Sequence, residues 1–345
     1  MAAARGMLDE VYPNLPEQDP ADHNSYILGE VQGHKVVIAC LPAGIYGTTP
    51  AATVAKDLLR TFKSIRFVLM VGIGGGAPSQ ELGRDLRLGD IVVRQPSGTS
   101  GGIIQYDRRK MVQEGEFQRT GSLNEPPQVL LAALSRLQAD HLIEDSKMPQ
   151  FLQELFSKIP ERMKKKFSHQ GVANDHLFHA GYDHVSPDAT CEQCCDQSQT
   201  VKRDGRDDTD PAWRGARGGV LCFETEAAGL QDFPCLVIRG ICDYADSHKN
   251  KEWQEYAAAT AATFAKELLS VIPPTTVQQD KPILQSVFVP LVRSIIPWYD
   301  ANTAPIKAEL DRRLGANRYK LSVSTFFSIS LLLYTYFIRF SMDTI

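Results

Sequence analysis

The sequence predicts an α/β sandwich. Three observations carry that reading: strand-like and helix-like runs alternate in the order β-β-α-β-β, the apolar strands end in glycines, and small-residue helical stretches follow them. The first twenty residues hold a short helical stretch, ARGMLDEVY, and a turn region, PNLPEQDPADHN, with no strand expected there. YILGEV (26–31) and KVVIACL (35–41) are β-rich runs separated by Gln32, Gly33 and His34, the pattern of a short-loop hairpin. The next helix is expected within GIYGTTPAATVAKDLLRTF, with Thr49 as its N-cap and Pro50 in its first turn.

IRFVLMVGIGGG (65–76) is a continuous apolar run, as expected of a strand buried on both faces. RLGDIVVRQ (87–95) is a further strand entered through a Gly-Asp turn. From about 126 to 218 the character changes. QVLLAALSRLQADHLI and PQFLQELFSKIPERMKKKF read as amphipathic helices, and the remainder is polar and turn-rich, so the stretch is expected to be an insertion or lid. Regular structure resumes with VLCFETEAAGL (220–230), CLVIRGICDYAD (235–246) and the helix WQEYAAATAATFAKELLSVI (253–272), stopped by Pro273 and Pro274. The domain reading is therefore one domain over 1–273 and an extension over 274–345. Within the extension, 321–338 has no charged residue and just reaches spanning length, but its serines, threonines and tyrosines leave a membrane anchor and a buried tail both open.

Composition narrows the function. A hydrophobic share of 43% and a charged share of 23% suit a globular chain. A net charge of −4 supplies no broad basic field for a nucleic-acid backbone, so no nucleic-acid partner is expected. Seven cysteines, an odd number, several in apolar runs, point to reduced thiols and a cytoplasmic setting. Cys191, Cys194 and Cys195, with His176, His179 and His184 upstream, fall short of a two-knuckle zinc pattern; the reading is a polar loop with free thiols and no metal. Lys164, Lys165 and Lys166 read as a solvated helix end.

Three clusters are candidates for chemistry. Gly72, Gly74, Gly75 and Gly76 end a strand where α/β folds place ligands; their spacing matches neither a P-loop nor a dinucleotide fingerprint, and a tight turn is the alternative. Phe223, Glu224, Thr225 and Glu226 follow a buried run, where the acids face a site or cap the next helix. Asp243, at the exit of CLVIRGIC, is placed for general acid work, with an Asx turn as the alternative; Asp246 reads as a cap.

VGIGGGAPS, LGDIVV, CFETEAAGL and RGICDYADSHKN, in this order, resemble the purine nucleoside phosphorylase and methylthioadenosine/adenosylhomocysteine nucleosidase superfamily, in particular its fungal branch. The resemblance runs from about Met7 to Pro273. It implies a three-layer α/β/α sandwich around a central mixed sheet, a homo-oligomer, no cofactor, and cleavage of a purine nucleoside's N-glycosidic bond by phosphate as co-substrate or by water. By the resemblance Gly74, Gly75 and Gly76 line the ribose and nucleophile region, Glu224, Thr225 and Glu226 stand for the family's E-M-E motif with Glu226 on the ribose hydroxyls, and Asp243 meets purine N7. Such a reaction passes through an oxocarbenium-like state, which calls for an acid at the base and acceptors under the sugar.

Three departures accompany the likeness. The acid-bearing first strand of the family is not found, because the sequence opens with the helix-like ARGMLDE, and Glu10, expected on that helix, is no substitute. DDTDPAWRGARGG runs into VLCFETEA where relatives have a strand and a base-holding turn, so a sheet strand is expected to be missing. Thr225 replaces the usual methionine. Arg94 and Arg239 are the arginines weighed for an anion, and neither is assigned. The competing expectation is a catalytically impaired nucleoside-binding sensor or interaction module, docked at a membrane if 321–338 is an anchor.

Overall fold

The structure is a computed structural model. It describes residues 1–285 except 80, 98–99, 106–108, 112–116, 120–123, 187, 204–212, 216–219, 231–232 and 250. The candidate membrane segment 321–338 lies outside the described residues, among which no helix is long and apolar enough to cross a membrane.

The chain opens with α1 (Ala2–Gly6) and a two-residue strand, β1 (Glu10–Val11). A hairpin follows, β2 (Ile27–Val31) and β3 (His34–Ile38), paired from Ile27 with Ile38 to Val31 with His34. Its loop is Gln32-Gly33, both at positive φ (51° and 78°), the conformation that suits a two-residue hairpin turn. The strand in the first twenty residues corrects the expectation of none: β1 joins the edge of β2, Glu10 opposite Glu30 and Val11 opposite Gly29. Glu10 is accordingly an exposed strand residue, not a helical one.

Helix α2 (Thr48–Thr61) starts at an N-cap Gly47 with φ of 104° and no side-chain cap, so Thr49 lies inside the first turn and does not cap it. Then come β4 (Val68–Gly76), β5 (Ile91–Val93), and a small ribbon of β6 (Arg109–Met111) with β7 (Phe117–Arg119). Three helices of the insertion follow, α3 (Gln128–Asp140), α4 (Met148–Lys158) and α5 (Glu161–Phe167), and a single turn, α6 (Cys191–Cys194). The chain closes the fold with β8 (Trp213–Gly215), β9 (Cys222–Phe223), β10 (Cys235–Asp243), α7 (Gln254–Ser270) and α8 (Pro274–Gln279).

The central sheet has the order β8-β5-β10-β4-β9 and is mixed: β10 runs parallel to β4 and antiparallel to β5, β5 parallel to β8, and β4 antiparallel to β9. The presence of β8 corrects a second expectation. The polar stretch before VLCFETEA supplies a short edge strand and does not run directly into the next one.

Side chains of β10 alternate between two cores, which makes the sheet the middle of three layers. Cys235 and Val237 pack with Ala55 of α2 and with Ala227 and Leu230; Leu236 and Ile238 pack with α3 and α7. Helix α7 is buried along most of its length, and its alanines explain how it sits so close to the sheet. A Cβ on Gly240 would lie 1.9 Å from the carbonyl oxygen of Ala257, so helix and strand touch backbone to backbone there.

The same helix carries two buried charges that hold the insertion. Lys266 Nζ donates to Met7 O (3.2 Å), Asp9 Oδ1 (2.5 Å) and Glu154 Oε2 (3.0 Å). Glu267 accepts from the Lys147 backbone N–H (2.6 Å) and pairs with His141 Nε2 (3.1 Å). Each buried ion is paired and hydrogen-bonded, as low-dielectric surroundings require. The Lys164–Lys166 end of α5, in contrast, is open to solvent, with Lys164 beside Glu161.

Candidate active site

Gly75, Asp243 and Phe223 meet at the carboxyl end of the two parallel strands, while Glu224 and Glu226 gather on Arg239, in register with Gly72. Gly75 on β4 is in register with Asp243 on β10 on one side and with Phe223 on β9 on the other. The glycines are there because nothing larger fits. A Cβ on Gly75 would come within 2.8 Å of both Asp243 Oδ1 and Ala245 Cβ; one on Gly74 would meet Cys222 Sγ at 2.4 Å; one on Gly76 would meet Ile241 at 2.9 Å. The glycine run is thus a close-packed floor, and its tight-turn alternative does not describe it, since Gly72–Gly76 remain in strand conformation.

Asp243 is half-buried. Its Oδ1 accepts the Ala245 N–H (2.8 Å) and lies 3.6 Å from Lys249 Nζ. The Asx turn weighed as its alternative is therefore present, and Ala245 sits at a φ of 56° within it. Among the described residues Oδ2 receives the weak Cys242 S–H donor at 3.4 Å, which makes it the less committed of the two oxygens. Burial, reinforced by the Asp243 charge, pushes the Cys242 thiol up to about 12, so this neighbour stays neutral. Burial likewise pushes Cys222, under Gly74, up to about 12.

The two glutamates divide their work. Glu224 Oε2 accepts from the backbone N–H groups of Glu226 (3.0 Å) and Ala227 (2.8 Å) and from Arg239 Nη2 (2.7 Å), so it caps the 3₁₀ turn Ala227–Leu230. Glu226 receives Thr225 Oγ1 at 2.5 Å on one oxygen and Arg239 Nη2 at 3.3 Å on the other. Phe223 and Thr225 are exposed, on the rim of the site.

Arg239 is the site residue that the motifs did not assign. Buried in mid-strand beside Gly72, whose absent Cβ would lie 2.2 Å from Nη1, it clamps both glutamates. Its signal in the sequence is an arginine inside an otherwise apolar strand, which must find acids, and E-T-E supplies them. Arg94 is buried too, but donates to the carbonyls of Gly101 (2.8 Å), Cys235 (3.2 Å) and Asn124; burial depresses its pKa. Neither arginine is an open anion site.

The insertion walls the far side of Asp243. Arg203 donates to Tyr244 Oη (2.8 Å) and Asp175 O (2.8 Å), while Tyr244 Oη donates to Asp175 Oδ1 (2.5 Å). Burial and the Asp175 charge drive the Tyr244 phenol well above its ordinary value, so it is a permanent donor. Between this wall and the strand exit, Asp243, Tyr244, His176, Phe178 and His248 enclose a cavity of ≈ 20 Å³, room for one small polar group. A much larger cavity of ≈ 900 Å³ lies at the opposite end of the strands, near Arg66, Pro127, Arg136, Pro234 and Pro273, and holds none of the candidate residues.

No protein-family profile matches the chain. It is 40% identical over 302 residues to a nucleotide-binding leucine-rich repeat (NLR)-like protein from Hyaloscypha variabilis, covering 83% of the chain but 30% of that relative. The chain thus spans less than a third of the length of the curated relative it matches. Among solved structures it is similar to a 5′-methylthioadenosine/S-adenosylhomocysteine nucleosidase from Neisseria meningitidis (TM-score 0.40, 16% identity, 78% of this chain and 95% of that one). It is also similar to a futalosine hydrolase mutant of Helicobacter pylori (TM-score 0.43, 15% identity, 78% and 93%). The mixed-sheet α/β architecture stands on the strand order itself.

Proposed function

We propose that the domain cleaves the N-glycosidic bond of a purine nucleoside, with Asp243 as the acid at the departing base and Glu226 as acceptor for the sugar hydroxyls. The observation that carries this is the registration of Gly75 between Asp243 and Phe223, which puts an acid, a glycine floor and an aromatic rim on three adjacent strand ends. Asp243 Oδ2 gives its proton to the base as the C–N bond breaks and water adds at the sugar carbon, releasing a proton to solvent; Glu226 turns from Thr225 to a ribose hydroxyl while Arg239 holds its carboxylate in place. Water is the nucleophile this reading takes, since among the described residues Arg239 and Arg94, the two arginines weighed for an anion, both donate to the protein's own acceptors.

The test is chromatographic assay of 5′-methylthioadenosine, adenosine and inosine, with and without phosphate. Free base and free sugar without phosphate are expected, and Asp243→Asn, which can keep the Ala245 contact, is expected to lower kcat by about 100- to 10,000-fold. Ribose 1-phosphate formed only with phosphate replaces water by phosphate. No cleavage of any nucleoside ends the enzymatic reading.

A second reading has a specific support: the relative is NLR-like and much longer, so the domain can serve as a nucleoside-binding sensor within a larger protein. Saturable nucleoside binding by calorimetry, lost in Glu226→Gln and without turnover, distinguishes it.

A further inference from the structure

The loop after Tyr182 gathers the side chains that the sequence left as free thiols. His184 Nε2, Cys194 Sγ and Cys195 Sγ all lie within 4.8 Å of one another. Cys194 Sγ is 3.7 Å from His184 Nε2 and 3.6 Å from Cys195 Sγ. Local structure explains the convergence. Thr190 and Gln193 form a capping box around α6, which puts Cys191 and Cys194 three apart on one side of a single turn. The backbone then becomes extended at Cys195 (φ −94°, ψ 143°), and its thiol turns back to meet that of Cys194. His184 is fixed from the other direction: its N–H donates to Ser247 Oγ (3.0 Å), which in turn donates to Asp183 Oδ1 (3.2 Å).

These spacings match a tetrahedral metal. With zinc–sulfur bonds of about 2.3 Å and zinc–nitrogen bonds of about 2.0–2.1 Å, the tetrahedral angle sets two sulfurs about 3.75 Å apart, and sulfur and nitrogen about 3.55 Å apart. Both observed distances lie within about 0.2 Å of those values. We propose that His184, Cys194 and Cys195, joined on metal binding by Cys191 from the same turn of α6, form a zinc site beside the strand exit carrying Asp243. A thiolate-rich set with one imidazole selects zinc over magnesium or calcium, and four protein ligands make the site closed and structural. On binding, each thiol releases its proton to solvent and His184 coordinates through its neutral Nε2, with no electron transferred. The site touches the proposed active site through its neighbours: the Cys191 thiol contacts His248 O at 4.0 Å, and Cys191 and Asp243 line the same small cavity.

The experiment uses the full chain, reduced and stripped of metal, then given zinc alone. Native mass spectrometry is expected to show one zinc per chain, and cobalt substitution a thiolate-to-metal charge-transfer band. Zinc should slow iodoacetamide labelling of Cys191, Cys194 and Cys195 by about tenfold or more while exposed Cys40 reacts as before. His184→Ala and Cys194→Ser should each weaken zinc binding by more than the roughly 10- to 100-fold typical of changing an outer-shell partner, with circular dichroism unchanged. A reduced wild-type chain that takes up no stoichiometric zinc shows a hydrogen-bonded thiol cluster only and overturns the proposal. So does either variant binding zinc as tightly as wild type. Neither outcome depends on nucleoside turnover.

Discussion

Replacing Arg239 by methionine isolates the clamp under the candidate site. The guanidinium is 6% exposed and its Nη2 serves both Glu224 and Glu226, whose side chains are 15% and 17% exposed. Removing one partner of a buried ion pair costs about 3–5 kcal/mol, because the remaining charge is left without compensation. Glu224 keeps two backbone N–H donors and Glu226 keeps Thr225, so the lower end, about 3 kcal/mol, is the expected loss. At roughly 2–4 °C per kcal/mol for a domain of this size, the melting temperature should fall by about 6–12 °C. Urea unfolding at neutral pH, followed by circular dichroism, measures it. A double-mutant cycle adds direction: Glu224, at 2.7 Å, should couple to Arg239 more strongly than Glu226, at 3.3 Å. A variant within about 0.5 kcal/mol of wild type, the range of an ordinary surface change, refutes the clamp.

Two further outcomes follow from the packing. Gly240→Ala should destabilise by about 3 kcal/mol or more in urea unfolding, since its Cβ would overlap the Ala257 carbonyl and α7 would have to retreat, whereas Gly181→Ala, with open space around it, should stay within about 0.5 kcal/mol. Acid unfolding should reflect Asp9 and Asp22, whose folded-state pKa values are lowered. For each, burial works against the shift but is outweighed, at Asp9 by Lys266 and the Gln32 N–H, and at Asp22 by Thr61, Tyr26 and Asn24. A lowered folded value contributes stability that is complete above the unfolded carboxylate range and is lost as pH falls through the folded value, so the urea midpoint should decline below about pH 5. Asp9→Asn and Asp22→Asn should each flatten that decline, and an unchanged slope would show that these contacts do not select the ionised form.

Long apolar runs were the legible part of this sequence. β4 and β10 are continuous hydrophobic stretches ending in glycine or acid; β10 is buried as that pattern predicts, whereas β4 is fully buried only at Gly74–Gly76 and its apolar residues Val68–Ile73 are half-buried, short of the expected burial on both faces. The hairpin was legible because Gln32-Gly33 constrains it locally. What escaped depends on contacts distant in the chain. β1 and β8 are two or three residues long, and they exist through register with β2 and β5, not through propensity. Lys266 and Glu267 would pass for the solvated face of α7, yet they are buried because α1 and the insertion bring acids and N–H groups to them. His184 and Cys194 are ten residues apart in the loop, and only its fold closes that gap to 3.7 Å.

The placement of charges at the site says more about its chemistry than the motif residues do. An acid that must donate to a leaving base and an acid that must accept from a sugar need opposite surroundings. Glu226 has a buried guanidinium and a hydroxyl directed at it, so the protein supplies donors on both oxygens and holds it as an acceptor. Asp243 has one oxygen held by a backbone N–H and 3.6 Å from the exposed Lys249 ammonium, and the other met, among the described residues, by a neutral, weakly donating thiol. The difference arises from a single structural fact: Arg239 and Asp243 stand four residues apart on β10, so the guanidinium is spent on the E-T-E turn beside Gly72 while the strand exit beside Gly75 is left to Asp243. Changing the strand register by one residue would send Arg239 to the opposite face of the sheet, leave both glutamates without their counter-ion, and remove the asymmetry on which the proposed division of roles depends.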